Sequence, residues 1–245
     1  MTAARRFATT AMMSLPVIAI DRLDIAFEPR DWPFARERRA DIDAHFAERR
    51  ASKPHMWNGR IVLTRADYRI EGGALTGTCF EADFASLLAW RDWGFPEAGA
   101  VNCFAMGALR SADGAFLLGV MGAHTANADR VYFPAGTPEP GDIVDGQLDL
   151  AGSVAREVAE ETGLVPTDYA AAEWHAVPVG ARLALIQLLA VDAPARELRD
   201  RMREHLAGDA HPELADIFIV RGPEDFDPRM PSWVTAYLEH RFRVA

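Results

Sequence analysis

The sequence predicts an α+β fold, a mixed β-sheet sandwiched between helices. Strand-like and helix-like segments are interspersed along the 245 residues without the regular βαβ alternation of a doubly wound sheet. Residues 101–110 and 115–122 alternate apolar and polar side chains around Ala112-Asp113-Gly114, the pattern of an antiparallel hairpin. The chain is 49% hydrophobic and 25% charged, which suits a globular protein with a sizeable core and no dominant disorder.

Taken in order, residues 16–28 read as a strand. Residues 33–51 read as a charged amphipathic helix with Phe34, Ile42 and Phe46 on its apolar face, ended by Pro54. Residues 60–65 and 74–80 are strand-like about Gly72-Gly73, and 82–92 form a short helix rich in Leu, Ala and Trp. Gly94 and Pro96 mark a boundary between an N-terminal α/β region, 1–95, and a second domain, 96–245. After the hairpin come a short strand at 130–133, a Gly/Pro-rich loop from Pro134 to Gly141, and a helix over 149–162 ended by Gly163. An apolar strand at 182–191, a helix at 194–206, a strand at 214–220 and a helix opened by Pro231 and running to about Phe242 complete the chain.

The net charge of −10 argues against nucleic acid and anionic membrane as partners. No stretch is long and apolar enough to span a bilayer. The first twenty residues loosely resemble a targeting peptide, but Thr9, Thr10 and Ser14 interrupt the apolar run. Translation starting at Met12 or Met13 is the preferred expectation there. Cys79 and Cys103 form no CxxC pair, so reduced thiols in a cytoplasmic protein are expected. Lys53 is the only lysine; the many arginines fit codon bias better than a phosphate-gripping surface.

The chemistry concentrates in Arg156-Glu157-Val158-Ala159-Glu160-Glu161-Thr162-Gly163-Leu164. On a helix Glu157, Glu160 and Glu161 stand at i, i+3 and i+4 and project from one face. Three adjacent carboxylates repel one another, and a hard divalent cation converts the repulsion into ligation. Arg156 lies four residues before Glu160 and can hold a carboxylate in orientation. Those residues alone also suit a solvated acidic helix face.

Together with the run Phe133-Pro134-Ala135-Gly136-Thr137-Pro138-Glu139-Pro140-Gly141-Asp142, the segment resembles the Nudix box. That box has Gly, five residues, Glu, seven residues, then Arg-Glu-apolar-x-Glu-Glu-x-Gly-apolar. Gly136 fits the first position and residues 156–164 fit every specified terminal position. Asp142 stands where the pattern has Glu, and thirteen residues separate it from Arg156 where the pattern has seven. The six extra residues are placed in a loop around Val144-Asp145-Gly146, leaving the helix intact.

The resemblance covers the domain 96–245. It implies a Nudix-type α/β/α sandwich and metal-dependent hydrolysis of a diphosphate in a nucleoside diphosphate linked to a moiety X. It implies that Glu157, Glu160, Glu161 and the Gly136 carbonyl bind Mg²⁺ or Mn²⁺, that Arg156 orients a glutamate, and, by family habit, a homodimer. Bound cations would reconcile an anionic substrate with the −10 surface. Glu213, before a predicted strand, is the candidate general base, with His211 as an alternative. Trp57-Asn58-Gly59-Arg60 and the lengthened box resemble the branch acting on uridine diphosphate sugars, which favours nucleotide sugars. Tyr132, Phe133 and Trp174 fit the core better than a stacking role. A second reading is a catalytically silent module that binds a nucleotide and regulates; such modules usually lose box glutamates, and all three are present here.

Overall fold

The computed structural model describes residues 15–54 and 56–244. The expectation about the start of translation falls on residues 1–14, outside the described residues. The strand expected over 16–28 is two, β1 (Ile18–Ile20) and β2 (Arg22–Phe27). Between them the Asp21 N–H donates to the Gly73 carbonyl at 2.7 Å, and the bend sends β1 and β2 to different neighbours. The helix expected over 33–51 is also two, α1 (Pro33–Glu37) and α2 (Arg39–Ser52), parted where Arg38 leaves helical geometry at φ −106° and ψ 16°. Then follow β3 (Arg60–Arg65), β4 (Arg69–Glu71), β5 (Ala74–Asp83) and α3 (Phe84–Asp92).

The remaining elements are β6 (Ala100–Arg110), β7 (Phe116–Met121), β8 (Val131–Tyr132), β9 (Ala135–Gly136), β10 (Ile143–Val144), β11 (Gln147–Leu148) and α4 (Leu150–Thr162). After them come β12 (Ala170–Val179), β13 (Arg182–Ala190), α5 (Ala195–Gly208), β14 (Leu214–Val220) and α6 (Ser232–Val244). β12 was not expected. Its first four residues are exposed and Pro178 interrupts its far end, so its sequence lacks clean alternation. Pairing with β13 on one side and β1 on the other makes it a strand.

The strands form one mixed sheet in the order β1-β12-β13-β6-β3-β5-β2-β11-β10. β7 pairs with β6, β8 and β14; β9 pairs with β6, and β4 with β5. The β13–β6 and β2–β5 pairs are parallel and the others antiparallel. β6 is the shared strand. Its start pairs with β3 through Thr64 and Val101, and the rest pairs with β13, β9 and β7.

Alternation along β6 sorts the core. Cys103, Ala105 and Leu109 face α4 and α5, while Met106 and Ala108 face α6. The α4 side also takes Ile25, Val62, Leu75 and Cys79, so sheet and core run continuously from the N-terminal region into the rest of the chain. On the opposite face of the N-terminal strands, Phe34, Ile42 and Phe46 join Leu63, Phe80 and Trp90. Cys79 and Cys103 are free and buried, and burial pushes their thiols up to about 11 and about 12. Among the described residues no helix is long and apolar enough to cross a membrane.

The seat of α4 on β6 depends on Gly107. A Cβ there would lie 2.6 Å from Val158 Cγ2, 2.8 Å from Leu189 Cδ1 and 3.2 Å from Val154 Cγ1. Gly107→Val therefore overpacks a close-packed layer. The expected loss is about 1–3 kcal/mol, read from the urea midpoint. An unchanged midpoint would mean that α4 rises off the sheet without resistance.

Candidate active site on the acidic helix

Local sequence fixes both ends of α4. At its start Asp149 accepts the Gly152 N–H at 2.9 Å, an N-cap contributing about 1 kcal/mol. At its end Gly163 takes the left-handed conformation at φ 72°, and His205 Nε2 of α5 donates to the Glu160 carbonyl at 3.0 Å. Leu150, Val154 and Val158 point into the core. The same 3.6-residue period turns Glu157 and Glu161 towards β9 and the loop before β14.

Glu161 is 5% exposed, and neither carboxylate oxygen has a hydrogen-bond partner. The Ala135 N–H faces the Glu161 carboxylate and opposes the rise in its pKa, but too loosely to count as a hydrogen-bond partner. Burial, and then the charges of Glu157 and Glu213, hold the Glu161 carboxyl well above the ordinary carboxylate range. Glu157 is pushed up to about 7, chiefly by burial; Arg156 opposes the shift, and Glu160 and Glu213 reinforce it. The Glu157 carboxylate lies so close to Gly136 that a Cβ at that position would sit 1.9 Å from its Oε1. Only glycine admits this approach. The structure thus brings Gly136, Glu157, Glu161 and Glu213 together. Glu160, with a side chain 61% exposed, forms the outer edge.

Arg156 ties this edge together. Its Nη1 donates to Glu157 Oε1 at 2.7 Å and to Glu160 Oε2 at 3.5 Å, and its Nη2 donates to Asp142 Oδ2 at 3.2 Å. Asp142 also accepts the Glu139 N–H at 2.9 Å, which closes a 3₁₀ turn over Pro140–Asp142. In the sequence Asp142 is only an Asp where the pattern has Glu. The structure makes it the buried partner that holds Arg156.

The six-residue insertion is an ordered hairpin, β10 and β11, where a loop was expected. Asp145 and Gly146 take φ 51° and 77°, the two positive values of a type I′ turn, which Asp-Gly favours. At its base the Asp149 N–H donates to the Asp142 carbonyl at 2.8 Å, so the insertion returns the chain to where it left. The N-terminal region grips this segment at two points. Phe27 N–H donates to the Gly146 carbonyl at 2.8 Å, and Val62 N–H to the Pro138 carbonyl at 2.7 Å. A third strap joins Lys53 Nζ to the Thr125 carbonyl in the loop after β7.

Phe133 is fully buried in the core, as expected, and Trp174 packs against the α4-side core. Tyr132 differs. Its hydroxyl accepts from Asn127 Nδ2 at 3.1 Å, and its pKa is raised by burial and by Glu161, Glu213 and Glu157. It stands beside the acidic group, and no sequence signal separated it from Phe133.

Among the described residues no three acidic, histidine or cysteine side chains are drawn around one point as a closed metal cage. The donor chemistry nonetheless suits a hard cation: two Glu161 oxygens without partners, next to a Glu157 carboxylate that lies against the backbone at Gly136. The acids' raised pKa values also set a sign. A carboxyl whose folded pKa exceeds its unfolded value binds extra protons when folded. Its contribution to stability is therefore lost as pH rises through the folded pKa. For Glu157 the window runs from the ordinary 4.5 to about 7 and amounts to about 3 kcal/mol. His175 and His240, whose pKa values burial lowers, act oppositely and cancel in a comparison of variants. Without divalent cation, Glu161→Gln is expected to melt increasingly above wild type as pH rises above the ordinary carboxylate value of 4.5, and millimolar Mg²⁺ to narrow the gap. A pH-independent gap would contradict the electrostatic account.

The chain matches no family model and no curated protein. Among solved structures it is similar to the MutT protein from Methanosarcina mazei Go1, at 20% identity over 59% of this chain and 94% of that one, TM-score 0.38. It is similar to a Nudix hydrolase from M. smegmatis, RenU, at 14% identity over 60% of this chain and 89% of that one, TM-score 0.41. It is also similar to the NUDIX domain of Shewanella oneidensis NrtR, solved with ADP ribose, at 15% identity over 64% of this chain and 96% of that one, TM-score 0.39.

Proposed function

We propose that this chain is a Nudix-type pyrophosphohydrolase that depends on Mg²⁺ or Mn²⁺. Its substrate is a nucleoside diphosphate linked to a further moiety, with nucleotide sugars the first group to test. One observation carries the reading. The box helix buries Glu161 with both oxygens unpartnered, beside a Glu157 pressed against Gly136. A protein gains nothing structural from a buried acid and a partly buried one side by side, both held above their ordinary pKa, so the arrangement supports a ligand that offsets the cost.

Glu157, Glu160 and Glu161 would hold the cation, with the Gly136 carbonyl as a further ligand and water and substrate phosphate completing the set. Once bound, the cation neutralises phosphate charge and makes a water more nucleophilic. The chain's own part is positional. Asp142 holds Arg156, and Arg156 holds the Glu157 and Glu160 carboxylates in orientation. Glu213, close enough to raise the pKa of both Glu157 and Glu161, accepts the proton of the attacking water on its carboxylate as the P–O–P bridge breaks.

Purified protein incubated with Mg²⁺ or Mn²⁺ and nucleotide sugars, dinucleoside polyphosphates, ADP-ribose, NADH and CoA is expected to release phosphate-bearing products from at least one of them. Glu161→Gln should lower kcat by about a hundredfold or more while remaining folded, and Glu213→Gln by about ten- to a hundredfold. Wild-type turnover in Glu161→Gln would remove the assignment. Nucleotide binding without turnover across the panel would favour the silent regulatory module.

A further inference from the structure

A cleft of about 630 Å³ opens between the loop after β7, with Ala123 and His124, and the segment entering β14, with His211, Pro212, Leu214 and Ala215. Its volume falls in the range of small-molecule sites. Its two walls meet at Glu213: the Gly122 N–H donates to the Glu213 carbonyl at 2.7 Å, and the Glu213 carboxylate acts on Glu157 and Glu161. A diphosphate held over the acidic group thus has this cleft beside it. The β7 wall is itself braced. Thr125 Oγ1 donates to the Gly122 carbonyl at 2.9 Å, and the Thr125 carbonyl accepts from Lys53 of the N-terminal region.

The lining decides what fits. Alanine, glycine, proline and leucine supply most of it, and none of the lining residues carries a carboxylate, amide or guanidinium group. A sugar ring presents several hydroxyls for which the lining side chains offer only the imidazoles of His124 and His211, and each hydroxyl buried without a partner costs about 1–3 kcal/mol. A bare phosphate would find no arginine or lysine among the lining residues. A nucleobase presents flat faces that stack on imidazole and apolar side chains, with polar groups only at its edge. His124 is an exposed lining residue whose ring lies against Gly122.

We propose that the cleft between His124 and Pro212 is the nucleobase subsite of this enzyme, holding the base by stacking with little discrimination between purine and pyrimidine. The assignment rests on the pyrophosphohydrolase reading only for which molecule brings the base. Binding of mononucleotides tests it separately.

The test is calorimetric titration of the full-length protein, in the presence of Mg²⁺, with AMP, UMP and inorganic pyrophosphate. His124→Ala removes the ring and Ala123→Trp fills the cleft from an exposed loop position. Each variant is expected to weaken AMP and UMP about tenfold, the scale of one lost base stack, and to leave pyrophosphate affinity unchanged. Nucleotide affinity unchanged in both variants would overturn the proposal. So would an equal loss of pyrophosphate affinity, or a wild type that binds pyrophosphate but neither nucleotide. If no diphosphate is turned over yet both variants lose AMP and UMP binding, the hydrolase reading fails and the subsite stands.

Discussion

Two adjacent carboxylates on α4, Glu161 buried and Glu157 partly buried, are the constraint around which the rest of the site is arranged. Glu157 and Glu161 are held away from water, and Glu161 has no hydrogen-bond partner. Their position depends on residues elsewhere in the fold. Gly107 lets α4 lie close on β6, which sets the depth of the helix face. Gly136 leaves room for the Glu157 carboxylate against the backbone of β9. Arg156 offsets part of the charge from the solvent side and is anchored in turn by Asp142. A cation bound at this face would offset the charge that Glu157 and Glu161 place there.

The N-terminal region enters the account through backbone hydrogen bonds. β2 and β3 grip the segment between Pro138 and Gly146, which carries Asp142, and the end of α2 holds the loop after β7. The inserted hairpin is what makes the first of these contacts: Gln147 lies opposite Ala26, adding β11 to the edge of β2. The insertion that lengthens the box therefore links it to the sheet of the first 95 residues. The continuous α4-side core, with Ile25, Val62 and Leu75 beside Val154 and Val158, has the same effect on a larger scale.

Much of this was legible in the sequence because it is local. The end of α4 follows from Gly163, and the facing of Glu157, Glu160 and Glu161 follows from helical spacing. The strands at 60–65 and 214–220 follow from their apolar runs. What was not legible depends on partners distant in sequence. β12 is a strand because β13 and β1 flank it, and β10 and β11 are strands because β2 offers an edge. Asp142 becomes a holder of Arg156 only once a hairpin brings positions fourteen apart together. The Asp145-Gly146 pair was a readable turn signal that the loop expectation passed over. Tyr132 and the His124 cleft carry no sequence pattern, since adjacency to Glu213 exists only in three dimensions.

The central claim, that the buried acids of α4 form a divalent-cation site, is tested most directly by Mn²⁺ titration followed by electron paramagnetic resonance, without substrate. Wild type should bind Mn²⁺ with loss of the free-ion signal, and the double variant Glu157→Gln/Glu161→Gln should leave that signal unchanged while retaining the wild-type circular dichroism. Equal Mn²⁺ binding by wild type and a folded double variant would contradict the account.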